Sequence, residues 1–216
     1  MHSKRAILRA VDFKKVMNFM ASKRQAYYDA THEALIDSAR ELFKTKGYAS
    51  TTVSDITTNA NKTRTTFYHY FPDGKVNLIQ TLMEHDVTPK FKALGNKIDG
   101  LKETPVETAF KIINRDFTEM FVASLYLWQA DIYFQDELYP ALKEITDDEY
   151  SGLTEKLANF IADRQKRSEL VQFDPVTGAK LFLAPALQSI VLSFSGADSD
   201  IYDTKQVELL IQQWLV

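Results

Sequence analysis

One short stretch of this 216-residue chain places several hydrogen-bonding side chains at helical spacing. Arg64 can donate two parallel hydrogen bonds to guanine, while Thr65 and Thr66 can offer a hydroxyl to a base edge or a methyl group to thymine. His69 follows one helical turn later, and the apolar Phe67 between them can anchor the same helix on a core. A helix with this mixture of side chains is suited to the DNA major groove.

Further hydroxyl and amino groups nearby suit the phosphate backbone of DNA. Thr51, Thr52 and Thr63 precede predicted helices, where free backbone N–H groups and the helix dipole also attract anions. Lys75 begins the helix that follows, and Tyr68 offers one more polar tip. Each threonine is equally well explained as a helix cap, and Tyr68 as a packing residue, so the prediction depends on the combination.

Two short helices joined by a tight turn must position these side chains. Thr52 and Asp55 form a capping-box pattern, which predicts a helix over 52–59. A second short helix is predicted over 63–70, and Asn61 suits the turn between them because asparagine tolerates a positive φ. This arrangement predicts a helix-turn-helix.

A longer helix is predicted over 31–47, with Thr31 as its cap and Gly47 as its end. One apolar face supports it, formed by Leu35, Ser38, Ala39, Leu42 and Phe43. Similar periodicity, punctuated by Pro and Gly, predicts further helices starting near positions 74, 105, 126, 140, 175 and 204. Pro89 is expected to end or kink the first of these helices, Thr104 to cap the second, and the third to extend to about Phe134. About nine helices and no convincing strand predict an all-α fold. It divides into a basic N-terminal extension (1–30), a helix-turn-helix head (31–78) and a larger helical body (79–216).

The composition is that of an ordinary soluble globular chain, 45% hydrophobic and 25% charged. No apolar run approaches the roughly 18 to 20 residues needed to span a bilayer, and no secretory signal is evident, so we expect a cytoplasmic protein without a membrane partner. The absence of cysteine excludes disulfides and thiolate chemistry. The four histidines form no metal-spaced pair, and no nucleophile or phosphate-loop motif appears. We therefore expect no catalytic residue, no metal and no cofactor.

The formal net charge of −3 is unevenly distributed. Residues 1–75 carry 13 Lys or Arg against 7 Asp or Glu, whereas residues 76–216 carry 13 against 22. A basic end attached to an acidic body favours contact with phosphate at one end only. Chance clustering of surface charges explains the asymmetry equally well.

Residues 31–78 resemble the DNA-binding domain of the TetR family of bacterial repressors. The resemblance runs over about 48 residues without a long gap, and is carried by Ala34, Ala39, Leu42, Phe43, Gly47, Tyr48, Thr51, Thr52, Ile56, Ala60, Thr63, Thr66, Phe67, Tyr68, Tyr70, Phe71, Lys75 and Leu78. It implies an all-helical, homodimeric transcription regulator whose heads bind a palindromic operator in double-stranded DNA. It also implies a C-terminal domain that binds a small-molecule effector and supplies the dimer interface.

Two positions depart from the pattern of that family. Lys62 stands where the family usually has a small apolar residue, and its stem can cover the core while its amine reaches solvent or a phosphate. Thr65 stands where the family usually has glycine, which affects how closely the backbone approaches DNA. We expect the DNA docking of this protein to differ from that of its relatives at these two residues.

Aromatic residues in the body predict a small-molecule pocket, since such pockets combine aromatic walls with a few polar groups. The candidates are Phe117, Phe121, Trp128 and Phe134 for the walls and Gln129 and Asp131 for polar contacts. Aromatic residues at helical spacing are also common in ordinary cores, which is the competing interpretation.

Two apolar stripes near the C-terminus predict a dimer interface, because two helices from each subunit can pair about a twofold axis. The candidates are Leu183, Leu187, Ile190 and Phe194 on one helix and Val207, Leu210, Ile211 and Trp214 on the other. The competing interpretation is that both stripes close the core of the single chain.

The extension over residues 1–30 carries seven Lys or Arg. It can lie in the minor groove, pack on the head or a partner, or be disordered, and we expect disorder or incidental packing. The sequence from Met20 also resembles a natural start.

The favoured hypothesis is thus a dimeric repressor that a small-molecule effector releases from its operator. The alternative is a DNA-binding regulator without small-molecule sensing, controlled by a protein partner. An enzyme is disfavoured by the lack of any catalytic motif.

Overall fold

The computed structural model describes residues 2–128, 139–194 and 204–216. Regular structure in these ranges is helical, apart from one isolated antiparallel bridge between Leu170 and Leu215. The all-α prediction is confirmed. No helix in the described ranges is both long and apolar enough to cross a membrane.

The helices, in chain order, are α1 (His2–Lys46), α2 (Val53–Asn59), α3 (Arg64–Tyr70), α4 (Lys75–Asp86), α5 (Thr88–Gly100), α6 (Val106–Val122), α7 (Tyr139–Lys166), α8 (Pro175–Phe194) and α9 (Lys205–Trp214). A 3-10 turn over Leu125–Leu127 follows α6. The chain divides into two compact units, residues 1–78 and residues 79–216, with α4 beginning in the first and ending in the second.

Helix α1 is much longer than the sequence pattern predicts. It begins at His2 rather than near Thr31, so residues 2–30 continue the helix instead of forming a partly disordered extension. Thr31 is buried in the middle of α1 and does not cap it. The physical reason is local: the first glycine of the chain is Gly47 and the first proline is Pro72, so nothing interrupts the helix before its end.

The first unit is built around an apolar core that α1, α2 and α3 share. Its fully buried members are Leu35, Ile36, Ala39, Phe43, Ile56 and Phe67, with Phe71 almost fully buried. The Ser38 hydroxyl donates a 2.8 Å hydrogen bond to the carbonyl oxygen of Ile56, which joins α1 to α2 inside this core. Gly47 ends α1 with a φ of 80°, as predicted.

In the second unit, helix α5 is absent from the sequence prediction. Pro89 was expected only to end or kink the helix before it, whereas it lies in the first turn of α5. Proline is well tolerated there, because the first turn of a helix needs no backbone N–H donor. Helix α6 begins at Val106, one residue later than predicted, and Thr104 provides no side-chain cap for it.

The helix predicted near 126–134 is replaced at its start by the Leu125–Leu127 turn, and residues 129–138 lie outside the described ranges. Beyond them, α7 starts at Tyr139 and α8 at Pro175, close to the predicted positions 140 and 175. The Asp174 carboxylate accepts a 2.8 Å hydrogen bond from the backbone N–H of Thr177, which caps α8.

A buried arginine fastens the end of α7 to the loop between α5 and α6. The Arg164 guanidinium donates 2.7 Å hydrogen bonds to the carbonyl oxygens of Leu101 and Thr104 and contacts the Glu169 carboxylate at the same distance. The residues after α7 also pair with the C-terminus of the chain: Leu170 and Leu215 form an antiparallel bridge, and the Val171 N–H donates a 2.9 Å hydrogen bond to the Trp214 carbonyl. The segments around the end of α7 are therefore held by backbone acceptors rather than by apolar contact alone.

Candidate nucleic-acid interface

The start of α2 is fixed by a complete capping box. The Thr52 hydroxyl accepts a 3.1 Å hydrogen bond from the Asp55 N–H, and the Asp55 carboxylate accepts a 2.9 Å bond from the Thr52 N–H. These bonds from Thr52, together with the ammonium of Lys46 3.4 Å away, hold the pKa of Asp55 below its usual value. The predicted cap of α2 is confirmed.

The turn between α2 and α3 has the predicted geometry. Asn61 adopts a φ of 51°, and the Lys62 N–H donates to the Thr57 carbonyl at 2.8 Å. The Thr63 hydroxyl then accepts a 3.1 Å hydrogen bond from the Thr66 N–H and so caps α3. Because every one of these bonds is local, the turn sets the direction of α3 relative to α2 without help from distant residues.

Helix α3 has one buried residue and a polar outer surface. Phe67 is fully buried, with its ring centroid 5.3 Å from that of Phe71. Arg64, Thr65 and His69 are exposed, and Tyr68 is 43% exposed. The helix is thus anchored through Phe67 and presents the side chains that were predicted to contact base edges.

The remaining predicted DNA contacts differ in accessibility. Thr52 and Thr63 are exposed, Thr66 and Lys62 are partly buried, and the Thr66 hydroxyl lies 2.9 Å from that of Thr63. Thr51 is buried, and its hydroxyl donates a 2.8 Å hydrogen bond to the Gly47 carbonyl. The prediction that its hydroxyl contacts phosphate is wrong, because that hydroxyl points into the turn that follows α1.

Lys75 is partly buried at the start of α4, within the first unit. Its ammonium donates hydrogen bonds of 2.7 Å and 2.8 Å to the carbonyl oxygens of Tyr48 and Thr51. It also lies 3.8 Å from the centroid of the Tyr48 ring, a close cation–π contact. Lys75 therefore stabilises the loop between α1 and α2, and its predicted phosphate contact stays a prediction.

Sequence reasoning missed the contribution of α1 to the surface around α3. The ring of Tyr28 lies 4.4 Å from that of Tyr70 and 6.2 Å from that of His69, measured between centroids. The Tyr70 hydroxyl donates a 3.2 Å hydrogen bond to the Tyr28 carbonyl, and burial raises the pKa of this phenol. The adjacent tyrosines 27 and 28, one turn before the predicted start of α1, were the available signal.

In the second unit, the predicted aromatic pocket residues pack on one another. Phe117, Phe121 and Trp128 are buried, and the Phe121 ring lies 5.0 Å from that of Phe117 and 4.7 Å from that of Trp128. These three residues form part of the core. Gln129, Asp131 and Phe134 lie outside the described residues, so the two predicted polar contacts and the predicted Phe134 wall stay predictions.

Three grooves of about 440, 350 and 290 Å³ lie along α5. Other residues than the predicted aromatics line them. The largest runs between α5 and α7, over Ile98 and Phe160, and has Lys102, Asn159 and Lys166 along its edges. Its volume falls within the range of small-molecule sites.

Close contacts connect the end of α4 and the start of α5 to the segment that follows α6. The Tyr126 hydroxyl donates a hydrogen bond to the Asp86 carboxylate, and the Lys90 ammonium lies 3.2 Å from the hydroxyl of Ser124. Tyr126 and Ser124 are buried. Within the second unit, the orientation of the last turn of α4 is therefore coupled to the turn beside the aromatic cluster.

Most of the predicted dimer contacts are buried within the single chain. Leu183, Val207, Ile211 and Trp214 are buried, and the Trp214 ring packs 4.6 Å from that of Phe173. These four residues belong to the core of the second unit, so their assignment to a dimer interface is wrong.

The other members of the two predicted stripes are partly exposed or undescribed. Leu187 and Leu210 are partly exposed, and the side chains of Ile190 and Phe194 lie outside the described set. Other leucines of α8 and α9 are exposed instead, namely Leu181, Leu192 and Leu209. Stripe periodicity did not show which face of each helix meets the core of its own chain.

Comparison with known proteins agrees with this geometry. The family model for "Bacterial regulatory proteins, tetR family" matches residues 35–82, which contain α2, α3 and most of α4. The TetC protein of transposon Tn10 from Escherichia coli is 36% identical over 52 residues, 24% of this chain and 26% of TetC. That match thus spans about a quarter of the relative's length.

Two solved structures share the fold over most of the chain. NalD, the secondary repressor of the MexAB-OprM multidrug efflux pump in Pseudomonas aeruginosa, superposes with a TM-score of 0.65 at 17% identity, covering 87% of this chain and 96% of NalD. FadR of Thermus thermophilus, a transcriptional repressor solved with lauroyl-CoA, superposes with a TM-score of 0.54 at 19% identity, covering 86% of this chain and 95% of FadR.

Proposed function

We propose that the chain is a dimeric, ligand-responsive repressor of transcription of the TetR family, whose model for bacterial regulatory proteins matches residues 35–82. The observation that carries the proposal is the construction of α3. Phe67 anchors it, Thr63 caps it, and Arg64, Thr65, Tyr68 and His69 remain on its outer surface. A short, rigidly held helix with such side chains is what major-groove recognition requires.

Sequence-specific binding is attributed to Arg64 first, because its guanidinium can bond to two acceptors of one guanine. Thr65 and His69 lie beside it at helical spacing. The exposed hydroxyls of Thr52 and Thr63 are assigned to phosphate contacts, since they lie at the starts of α2 and α3. Thr51 is left out of this set because its hydroxyl is engaged inside the protein.

Dimerisation is proposed through the open apolar surface of α8 and α9. Leu181 is 52% exposed and Leu209 is 60% exposed, and Leu192 adds to the same helix as Leu181. Large exposed leucines on two neighbouring helices favour pairing with a second copy about a twofold axis. Two heads in one dimer can bind two half-sites about one helical turn of DNA apart, which predicts a palindromic operator.

Control by a small molecule is the finer part of the proposal. The Asp86–Tyr126 contact supports it, because it connects the last turn of α4 to the turn that adjoins Phe121 and Trp128. An effector that moves Tyr126 would move the end of α4. A change in α4 would in turn alter the spacing of the two heads, and a small change of spacing is enough to lose one half-site.

A second candidate is a DNA-binding regulator that a partner protein controls. It is favoured by the mutual packing of Phe117, Phe121 and Trp128, which form core contacts rather than the walls of the grooves along α5. In that case the same DNA-binding residues would act without small-molecule sensing.

One experiment tests the function. Operators are selected from a random duplex library, and the affinity of the protein for the selected site and for a scrambled site of equal length is measured at several salt concentrations. The proposal requires a preference for the selected site that persists as salt rises. Equal affinity for both sites at every salt concentration would contradict the proposed function.

The same assay is repeated with a panel of cationic, neutral and acyl compounds. Release of the operator by a compound supports the ligand-responsive form. Specific binding that no compound changes supports the second candidate.

A further inference from the structure

The segment of α1 just before the helix-turn-helix carries an exposed basic and aromatic stripe. We name it the α1 stripe and define it as Lys23, Arg24, Tyr27 and Tyr28, all exposed. Arg24 precedes Tyr27 by three residues and Tyr28 by four, and Lys23 precedes Tyr27 by four, so these side chains share one side of the helix.

The C-terminal end of the stripe lies against α3. The Tyr28 ring contacts those of Tyr70 and His69, and its backbone carbonyl accepts the 3.2 Å hydrogen bond from the Tyr70 hydroxyl. Three contacts from two α3 residues hold this part of α1 beside the helix proposed to enter the major groove. The stripe therefore adjoins the proposed DNA-binding surface within the same unit.

Tyr27 extends this contact to the turn before α3. The Lys62 ammonium lies 5.5 Å from the centroid of the Tyr27 ring, within cation–π range. Tyr27 itself is 68% exposed, which leaves its hydroxyl accessible. Lys62, the residue that departs from the family pattern, thus lies between α3 and the stripe and adds its charge to this surface.

The two cations of the stripe are available for an anionic partner. The Lys23 ammonium lies over the exposed Phe19 ring at 4.8 Å, and within the described residues Arg24 has neither an ion pair nor a hydrogen bond. Asp29 is the nearest acid in sequence, and it accepts a 2.8 Å hydrogen bond from the Gln25 amide. Unpaired cations beside a DNA-binding helix are suited to phosphate groups.

We propose that the α1 stripe binds the sugar–phosphate backbone of the duplex next to the segment contacted by α3, with Lys23 and Arg24 on phosphates and the Tyr27 hydroxyl as an additional donor. This inference rests on the proposed function and extends it. It gives the protein a longer footprint on each half-site than α2 and α3 provide. Contacts of this kind position the protein and strengthen binding without reading sequence.

The test compares the full chain with the double variant Lys23→Ala/Arg24→Ala. Affinity for the selected operator and for a scrambled duplex is measured between about 50 and 200 mM salt. Each lost phosphate contact lowers the slope of log affinity against log salt by about 0.9, so we expect a decrease of about 2 per head and about 4 for a dimer. Both substituted side chains are exposed, and circular dichroism verifies that the variant is folded.

The matched control is Lys102→Ala/Lys166→Ala, which removes two exposed lysines that line the groove between α5 and α7 in the second unit. We expect its salt slope to equal that of the unsubstituted protein. Hydroxyl-radical footprinting supplies an independent readout, with protected sugars lost at the outer edge of each half-site in the stripe variant only.

The outcomes separate the two proposals. A lowered slope and a shortened footprint in the stripe variant alone support the inference. An unchanged slope and footprint overturn it, while the proposed function stands if the unsubstituted protein still prefers its operator. If the unsubstituted protein shows no such preference, the proposed function fails and this inference fails with it.

Discussion

The Nζ atom of Lys75 lies 2.7 Å from the carbonyl oxygen of Tyr48 and 3.8 Å from the centroid of the same residue's ring. One side chain at the start of α4 therefore satisfies backbone carbonyls in the loop between α1 and α2, including that of Thr51. This contact indicates that Lys75 stabilises the loop between α1 and α2, whereas the sequence predicts that it contacts a DNA phosphate. The two roles have different consequences for DNA binding.

Replacing Lys75 with methionine distinguishes them. We expect the free energy of unfolding to fall by about 1–3 kcal/mol, because two partly buried carbonyl groups lose a charged donor. If Lys75 mainly stabilises the loop between α1 and α2, operator affinity falls while the slope of log affinity against log salt concentration stays unchanged. A slope reduced by about 0.9 per head would instead show a direct phosphate contact. Operator titration at four salt concentrations, beside a urea melt, provides both quantities.

Arg64→Ala is expected to weaken operator binding by about 1–3 kcal/mol per half-site and to relax specificity at one base pair. Competition against operators substituted at single positions measures that change. Lys92→Ala, which removes an exposed cation from α5, is the control and should leave both quantities unaltered. Full retention of specificity in Arg64→Ala would show that another residue of α3 reads the base.

Phe67→Ala is expected to destabilise the first unit by about 3–5 kcal/mol, since it empties a fully buried aromatic site. The neighbouring Tyr68→Ala removes a ring that is partly exposed and should cost much less. Both tryptophans, Trp128 and Trp214, lie in the second unit, so their fluorescence does not follow this change. Circular dichroism or hydrogen exchange of α1 to α3 is the suitable measurement. Equal losses in the two variants would contradict the anchoring role of Phe67.

The stability of α2 should depend on pH through Asp55. Its pKa in the folded protein is lowered from the ordinary value of 3.8, chiefly by hydrogen bonds from Thr52. On acidification the unfolded chain takes up a proton first, so the stabilisation is complete above about pH 4 and disappears as pH falls through the lowered pKa. Urea melts between about pH 5 and pH 2 should show this loss. In Asp55→Asn the dependence should be smaller over the same interval.

Leu209→Asp and Leu181→Asp are each expected to shift the dimer towards monomer, because a charge would be buried in the proposed interface. Sedimentation equilibrium measures the dissociation constant, which we expect to rise at least about tenfold. Val171→Asp alters an exposed valine outside α8 and α9 and should leave it unchanged. A dimer that persists in both leucine variants would place the interface on another surface.

Sequence alone located the helix-turn-helix accurately because its determinants are local. Thr52 with Asp55, Asn61 and Thr63 each act within four residues, and the structure has all of these caps and the positive φ where they were expected. Local hydrogen bonds of this kind are encoded by residue type and spacing, so a pattern search can find them.

The orientation of amphipathic faces was less predictable. The stripe of Val207, Ile211 and Trp214 has the same periodicity whether it faces a second copy or its own chain. The positions of Phe110, Phe173 and Phe182, which come from other elements, show that Trp214 is already covered. Similarly, Pro89 ends one helix and begins another, and sequence reasoning assigned it only the first of these roles.

Because α1 is an uninterrupted helix, the direction in which Lys23 and Arg24 point around its axis depends on the number of residues that separate them from Tyr27. Each helical residue turns the chain by about 100°, so removing Ala26 would rotate everything before it while Tyr27 and Tyr28 stay docked on α3. The direction of the two cations would then change while the net charge of the chain stays the same. Two chains of nearly identical composition and net charge could thereby present the same two cations in directions about 100° apart around one helix axis.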